Sequence, residues 1–354
     1  MRVAIVAGTR PEFIKLAPVR ALLGQDARII HTGQHYSAGL TGRVGPDLVL
    51  DHDPGTSVGG KLGSWTSALD RTFREYQPDA VLVQGDTTSA LAGALAANTT
   101  RTPLVHIEAG LRSRDRSMPE EHNRILIDHL ADLCCAPSEQ ARDNLRAERI
   151  SASRIETTGN TIVEAVEAAL PASYQQEAIL DQLGLTPDQY ILTTIHRPEN
   201  ADDADRLATI FGELAKLPIE VVVPLHPRTQ QQIEPVSIAG YTANFRITGP
   251  LNYPALLTVI QNSAAVVSDS GGIQEEITVL KRPIVVVRRS NERPEIESTF
   301  GTRVPVGSEL RTATANCLAD VSRLHARLAA LPSPYGDGSA AVQIVRAMRG
   351  RFDS

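Results

Sequence analysis

Charged and glycine-bearing motifs directly follow several short apolar runs of the sequence. The first motif is GTRPE at residues 8–12, with Arg10 at the start of a predicted helix and Lys15 one turn further on. Thr9 and Glu12 have capping-box spacing, which by itself explains a well-capped helix. Free N–H groups at a helix N-terminus also favour an anion, and two nearby cations strengthen that preference. The motif therefore predicts a phosphate site.

Three carboxylates follow later apolar runs and are candidates for acid–base chemistry. They are Asp86 in GDTT, Glu108 in HIEAG and Glu120 in PEEHNR. Taken singly, Asp86 is typical of a helix cap, and Glu120 with Arg124 has the spacing of a surface salt bridge that contributes only ~0.3–0.5 kcal/mol. Three carboxylates from successive turns at one sheet edge nevertheless indicate a site, because ligands bind beyond the carboxyl ends of parallel strands.

The second half of the chain has histidine and arginine after two apolar runs. His196 begins the motif HRPEN, and His226 lies in PLHPR. A single histidine after a strand is more often structural than catalytic, but two His–Arg strand ends in one sheet favour an anion site. The histidines of these two motifs lack metal-ligand spacing, and we predict no metal.

The most specific motif is SDSGGIQEE at residues 268–276. An apolar run leads into Ser270, Gly271 and Gly272, whose backbone N–H groups a diphosphate can approach closely. Glu276 follows one turn later, in position to accept hydrogen bonds from ribose hydroxyls, and Arg293 follows the next apolar run. The motif predicts a diphosphate anchor rather than an ordinary glycine-bearing turn.

Composition narrows the class of partner. The 354 residues are 42% hydrophobic and 21% charged, with a net charge of −6, which disfavours nucleic acid and anionic membrane as partners. No apolar segment has the length of a signal peptide or a membrane span. The three cysteines lack zinc-ligand spacing and suit a reducing compartment, so a soluble cytoplasmic protein is expected.

Short aliphatic runs alternate with longer amphipathic stretches from end to end. Runs such as Val3–Ala7 are continuously apolar, which is typical of strands buried on both faces, and the alternation predicts βαβ units with parallel sheets. One of the predicted helices covers residues 121–133. We predict one Rossmann-like domain over residues 1–165 and another over 166–339. Residues 340–354 read as a helix that caps the second domain or crosses back to the first.

Taken together, these motifs resemble the non-hydrolysing UDP-N-acetylglucosamine 2-epimerases. The matching pieces, in order, are GTRPEFIKLAP, TGQH, GDTTSALAGALAA, HIEAGLRS, MPEEHNR, TGNTIVEA, HRPEN, SDSGGIQEE and ERPE. The resemblance implies an α/β, glycosyltransferase-B-like fold of two Rossmann-like domains with parallel sheets. It also implies an active site in the interdomain cleft, a UDP-sugar substrate and a homodimer.

The resemblance assigns roles to the residues that match the motifs. The diphosphate is assigned to Arg10, His196, Arg293 and the helix start at Ser270, the ribose to Glu276, and the sugar ring to the three carboxylates. The expected catalytic residues are Asp86, Glu108, Glu120 and His196. The expected substrate-binding residues are Arg10, Lys15, Arg124, His226, Ser270, Gly271, Gly272, Glu276 and Arg293.

The reaction that the resemblance implies inverts carbon 2 of N-acetylglucosamine. That hydrogen has no adjacent carbonyl group, so inversion needs transient oxidation or elimination of the nucleotide across carbons 1 and 2. The sequence lacks the G-x-G-x-x-G dinucleotide fingerprint, which disfavours the redox route, and we predict no cofactor. Elimination needs cations for the departing UDP and a base for the proton, and the motifs offer both.

Three other functions are compatible with part of the pattern. A hydrolysing epimerase would release N-acetylmannosamine and UDP, but the motif MPEEHNR resembles the non-hydrolysing branch. A retaining UDP-sugar glycosyltransferase shares the Ser-Gly-Gly…Glu donor site without needing the three carboxylates. A catalytically silent nucleotide-sugar sensor would not need the candidate acid–base residues either.

Overall fold

Two compact units make up the chain. The computed structural model describes residues 1–34, 45–51, 57–225 and 244–353. The first unit combines Met1–Ala165 with Tyr335–Ser354, and the second spans Val166–Pro334. Each unit has its own parallel sheet with helices between the strands, which confirms the predicted α/β class.

The described strands of the first unit form a seven-stranded sheet in the order β3-β2-β1-β4-β5-β6-β7. These strands are β1 (Val3–Ala7), β2 (Ala27–His31), β3 (Leu48–Val49), β4 (Ala80–Gln84), β5 (Leu104–Ile107), β6 (Leu133–Ala136) and β7 (Ile155–Thr157). The helices that follow them are α1 (Arg10–Leu23), α2 (Val58–Tyr76), α3 (Thr88–Thr100), α4 (Pro119–Leu130), α5 (Glu139–Ala147) and α6 (Ile162–Ala169). Strands β1 and β4 are buried along their whole length, as their apolar sequences require.

The described strands of the second unit form a six-stranded sheet in the order β10-β9-β8-β11-β12-β13. They are β8 (Tyr190–Thr194), β9 (Glu220–Pro224), β10 (Phe245–Thr248), β11 (Ala265–Ser268), β12 (Ile284–Val287) and β13 (Gly301–Val304). The helices are α7 (Ser173–Leu183), α8 (Pro198–Ala201), α9 (Ala204–Leu214), α10 (Tyr253–Gln261), α11 (Gly271–Leu280), α12 (Ser308–Leu318) and α13 (Val321–Ala329). Within the described residues, every helix is too short or too polar to cross a bilayer.

The last helix, α14 (Ala340–Phe352), packs against α1 in the first unit. Its buried side chains Ile344 and Met348 belong to the same apolar cluster as Leu16 and Val19 of α1. The carboxylate of Glu164 accepts a hydrogen bond of 2.7 Å from the backbone N–H of Ala341, near the start of the helix. The C-terminal segment thus completes the core on one face of the first sheet.

The helix predicted over residues 121–133 is wrong at its C-terminal end. Helix α4 ends at Leu130, and Leu133 instead begins strand β6, which contains Cys134 and Cys135. A run of four apolar residues is too short to distinguish a strand from a helix end by periodicity. Both cysteines are buried, and burial raises the pKa of the Cys134 thiol to about 12.

Candidate active site

The carboxyl ends of β1, β4 and β5 meet at one edge of the first sheet, because these strands are neighbours. Arg10 begins the helix after β1, Asp86 follows β4, and Glu108 follows β5. Parallel pairing therefore brings together three motifs that are far apart in sequence, as expected for a ligand-binding edge.

A buried ion pair joins helix α1, which follows β1, to the end of β5. The Nζ atom of Lys15 lies 2.7 Å from Oε2 of Glu108, and the two side chains are only 6% and 3% exposed. The side-chain amide of Gln84, the last residue of β4, donates to the same carboxylate oxygen. These two donors fix the position of the Glu108 carboxylate. Sequence reasoning missed Gln84, although its position at a strand end was a usable signal.

The backbone at Glu108 is unusual as well. Its φ of 70° lies in the left-handed region, which costs a non-glycine residue roughly 1–3 kcal/mol and is found most often at functional sites. Two residues later, Gly110 has a φ of 85°, and an added Cβ would lie 2.2 Å from the backbone oxygen of Ala141. The turn after β5 is therefore fixed by strain and close packing, and it holds the Glu108 carboxylate in one position.

Asp86 and Arg124 form the second ion pair of this edge. The Nη2 atom of Arg124 lies 2.6 Å from Oδ2 of Asp86. The Asn123 side chain donates to the backbone oxygen of Asp86 at 2.8 Å. Arg124 also contacts Glu121 at 2.6 Å. Burial disfavours ionisation of Glu121, but the backbone N–H groups of Ser113 and Arg114 and the charge of Arg124 together lower its pKa.

The two glutamates at the start of α4 therefore differ in their surroundings. Glu121 is buried and accepts hydrogen bonds that hold the preceding loop, whereas Glu120 is exposed. The sequence motif PEEHNR does not by itself separate these roles. Exposure leaves the Glu120 carboxylate accessible to a substrate.

Glu12 connects the β1–α1 turn to the Asp86 turn. Its carboxylate accepts hydrogen bonds from the backbone N–H groups of Gly8 and Thr9 and from the hydroxyls of Thr9 and Thr87. Burial raises its pKa to about 7, even though these four hydrogen bonds lower it. The capping-box spacing predicted the contact with Thr9, but the contact with Thr87, 75 residues away, was not predictable from local sequence.

Behind these turns lies a buried polar network around His106 of β5. Its Nδ1 atom lies 2.6 Å from Asp128, and its Nε2 atom donates to the backbone oxygen of Gly85 at 2.8 Å. Asp128 also accepts from Gly110 N–H and pairs with Arg112 at 2.8 Å. Burial opposes ionisation of Asp128, but His106 and Arg112 lower its pKa. The network connects the turns at Gly85 and Gly110, which follow β4 and β5, to Asp128 of helix α4.

In the second unit, β8 and β12 flank β11, so His196, Ser270 and the segment after β12 share one sheet edge. Asp269, fully buried, accepts hydrogen bonds from the backbone N–H groups of His196 and Arg197 and from the Asn200 side chain. It lies 3.4 Å from Nδ1 of His196. This aspartate positions the histidine turn.

Helix α11 begins next to Arg293. Ser270 caps the helix by accepting from the Ile273 N–H at 3.4 Å, and a Cβ added to Gly271 would lie 2.6 Å from Nη1 of Arg293. Only glycine lets the guanidinium approach the helix start so closely. Arg293 contacts two buried carboxylates, with 2.7 Å from Nε to Glu275. The second of these carboxylates is Glu292.

Three further residues predicted for the site are Gly272, Glu276 and His226. Gly272 lies in the first turn of α11, and Glu276, 7% exposed, lies one turn later. His226 lies outside the described residues. Among residues 1–34, 45–51, 57–225 and 244–353, no three His, Cys, Asp or Glu side chains are arranged to hold a metal ion.

Two parallel α/β sheets with charged turns at their strand ends define the glycosyltransferase-B-like class. A family model described as UDP-N-acetylglucosamine 2-epimerase matches residues 21–349. The chain therefore belongs to the UDP-N-acetylglucosamine 2-epimerase family, and it is an enzyme of the epimerase class.

Individual relatives are similar over nearly their whole length. The UDP-N-acetylglucosamine 2-epimerase of Methanococcus maripaludis is 34% identical, with 99% of this chain and 98% of that protein covered. The UDP-2,3-diacetamido-2,3-dideoxy-D-glucuronate 2-epimerase of Pseudomonas aeruginosa is 35% identical, with 97% and 98% covered. The crystal structure of Methanocaldococcus jannaschii UDP-GlcNAc 2-epimerase in complex with UDP-GlcNAc and UDP has a TM-score of 0.88 at 33% identity, with 99% of this chain and 100% of that chain covered.

The buried pair of Lys15 and Glu108 generates a stability prediction. Replacing Lys15 by Met leaves an uncompensated buried carboxylate, so the free energy of unfolding should fall by ~3–5 kcal/mol. Urea unfolding followed by the fluorescence of Trp65, the single tryptophan, reports on the first unit. Arg74→Met is the control, because its pair with Asp70 is exposed, and it should leave stability nearly unchanged. Equal losses in both variants would contradict the prediction.

Glu12 generates a pH prediction. Its pKa is raised from 4.5 to about 7 in the folded protein, so folding favours the protonated form. The resulting stability is fully present below pH 4.5 and is lost as the pH rises through about 7. Across this pH window, the free energy of unfolding of the wild-type protein should fall by on the order of 3 kcal/mol relative to that of the Glu12→Gln variant. Parallel stability curves for the two proteins between pH 4 and 8 would show that the carboxyl group titrates normally.

Proposed function

We propose that the enzyme interconverts UDP-N-acetylglucosamine and UDP-N-acetylmannosamine by inverting carbon 2. This proposal rests on the different functional groups that lie at the carboxyl ends of the two sheets. The first unit presents the carboxylates Asp86, Glu108 and Glu120, whereas the second presents a glycine-bearing helix start beside Arg293 and His196. The similarity to the Methanocaldococcus jannaschii enzyme in complex with UDP-GlcNAc and UDP supports the same substrate class.

The proposed mechanism is elimination followed by re-addition. A carboxylate base accepts the proton from carbon 2, and the electrons of that C–H bond form the double bond between carbons 1 and 2. The bond from carbon 1 to the phosphate oxygen breaks, and UDP leaves with that electron pair. The intermediate is 2-acetamidoglucal. A protonated acid then returns a proton to the opposite face of carbon 2 while the UDP oxygen bonds to carbon 1.

Residues of the first unit would carry the proton transfers. Glu108 accepts hydrogen bonds from Lys15 and Gln84, which would hold its carboxylate in position for proton transfer or electrostatic stabilisation. Glu120 is exposed and therefore able to exchange a proton with solvent. Asp86 is fixed by Arg124, which also orients the start of helix α4.

Residues of the second unit would stabilise the leaving group. The N–H groups at Gly271 and Gly272 and the hydroxyl of Ser270 would bind the diphosphate, and charge develops there as the bond breaks. Arg293 and His196 would add positive charge, and Glu276 would accept hydrogen bonds from the ribose. Arg10, Lys15 and His226 are proposed as further substrate-binding residues.

Location and assembly are part of the same proposal. We propose a cytoplasmic enzyme that acts as a homodimer, because UDP-sugars are metabolites of that compartment and the family resemblance implies a dimer. Sedimentation equilibrium of the purified protein tests the second statement. A monomeric mass at micromolar concentration would refute it.

The identity of the sugar is tested by turnover. The protein is incubated in heavy water with UDP-N-acetylglucosamine alone, and in parallel with UDP-2,3-diacetamido-2,3-dideoxy-D-glucuronate, on which the Pseudomonas aeruginosa relative acts by its name. We expect UDP-N-acetylmannosamine with one deuterium at carbon 2 from the first substrate. Free N-acetylmannosamine with UDP would indicate hydrolysis instead. The absence of any reaction with the first substrate would overturn the proposed function.

The acid–base assignment predicts large rate losses in two variants. Glu120→Gln and Asp86→Asn should each lower kcat by ~10²–10⁴-fold, since general acid–base groups contribute about that much. Glu139→Gln is the control, because Glu139 is an exposed glutamate in the first turn of another helix of the same unit. The rate is followed by NMR of the anomeric proton. Rates within about twofold of the wild type for Glu120→Gln and Asp86→Asn would remove both from the mechanism.

The leaving-group assignment predicts a contrast between neighbouring arginines. Arg293→Ala or His196→Ala should abolish most activity, whereas Arg289→Ala, at an exposed position after the same strand, should change it only modestly. Steady-state kinetics with UDP-N-acetylglucosamine measure all three variants. Comparable losses at the three positions would mean that the leaving-group site lies elsewhere.

A further inference from the structure

A cationic cavity lies in the second unit, at the carboxyl ends of the edge strand β13 and its neighbour β12. Its volume is about 390 Å³, and its lining consists of four arginines and one short apolar segment: Arg206, Arg288, Arg289, Arg303, Val304, Pro305 and Val306. None of these residues belongs to the predicted diphosphate or acid–base sets. The cavity is therefore a feature that the proposed function does not use.

The arginines of this cavity are only partly neutralised. Arg288 pairs with Glu292 at 2.6 Å, and Arg303 pairs with Glu297 at 3.0 Å. Arg206 donates from Nη2 to the side-chain oxygen of Asn200 at 3.0 Å. Within the described part of the chain, the ion pairs of these four guanidinium groups involve two carboxylates, and one of them, Glu292, also contacts Arg293. An anion inside the cavity would balance the remaining charge.

Two of the arginines that line the cavity also have buried donors that do not face solvent. The Nε atoms of Arg206 and Arg288 are shielded from solvent and have no hydrogen-bond acceptor among the described residues. Buried N–H groups of this kind are normally satisfied, and a charged donor without an acceptor is costly. Burial lowers the pKa of Arg288, and the neighbouring cations Arg197 and Arg293 lower it further against the opposing effect of Glu292.

The geometry points to a binding site for a phosphate group, carried by a small phosphate monoester. Arginine forks match phosphate oxygens and form charge-assisted hydrogen bonds with them. The volume falls within the roughly 300–1,000 Å³ range of small-molecule sites, which is larger than a lone phosphate needs. Val304, Pro305 and Val306 provide an apolar wall for the organic part of the ester.

Two short chains of contacts join this cavity to the proposed diphosphate site. Arg288 contacts Glu292, which contacts Arg293. On the other side, the Asn200 side chain accepts from Arg206 and donates to Asp269, the residue that holds the His196 turn. A bound phosphate would compete with Glu292 for Arg288, so the cavity and the diphosphate site share positioning groups.

The test measures binding and needs no turnover, so its outcome is separate from that of the proposed function. Wild-type protein, saturated with UDP to occupy the nucleotide site, is titrated calorimetrically with glycerol 3-phosphate and, separately, with inorganic phosphate. We expect one equivalent to bind, with the monoester tighter. The double variant Arg289→Ala/Arg303→Ala should bind at least about tenfold more weakly, since each removed fork eliminates charge-assisted hydrogen bonds.

Arg323→Ala is the matched control, because Arg323 is an exposed arginine of helix α13 in the same unit. This variant should bind glycerol 3-phosphate as tightly as the wild type does. Arg289→Ala alone should weaken binding in the same direction, which covers a double variant that fails to fold. Tighter binding of inorganic phosphate would show that the cavity binds the free ion rather than a phosphate monoester. Equal affinities in wild type and Arg289→Ala, or no binding by UDP-saturated wild type, would overturn the proposal.

Discussion

The site in the first unit depends on one buried ion pair. Lys15 and Glu108 meet at 2.7 Å with almost no exposure, and removal of either partner would leave a charge in a region with little solvent to stabilise it. The pair connects helix α1 to the end of β5, where the Glu108 backbone adopts a left-handed conformation. Because backbone strain, hydrogen bonds and charge act on the same residue, the Glu108 carboxylate has a fixed position in the fold.

The second unit uses buried charge in a different way. Arg293 lies between Glu275 and Glu292, so much of its positive charge is compensated inside the protein. Its position beside the start of helix α11 is nevertheless fixed, and the N–H groups of that helix start add a favourable field for an anion. We infer that leaving-group stabilisation there depends on pre-positioned dipoles together with arginine rather than on arginine alone.

Local sequence was sufficient for the fold class. The runs 3–7 and 27–31 are strands at the predicted residues, because short and mostly apolar segments between turns favour buried strands. The sequence predicts a helix that runs to Leu133, but Leu133 begins strand β6, because a run of four apolar residues carries no distinct period. The contacts of Gln84 with Glu108 and of Asp269 with His196 join distant segments, and only the parallel pairing of their strands brings them together. The catalytic roles stay predictions.

The proposed elimination breaks the bond between carbon 1 of the sugar and the phosphate oxygen. Positional isotope exchange measures that bond directly, with UDP-N-acetylglucosamine carrying oxygen-18 in the bridging position. During turnover, we expect the label to move into non-bridging positions of the β-phosphate in recovered substrate and in the manno product. Complete retention of the bridging label through full conversion to the manno product would contradict elimination, whatever the variants showed.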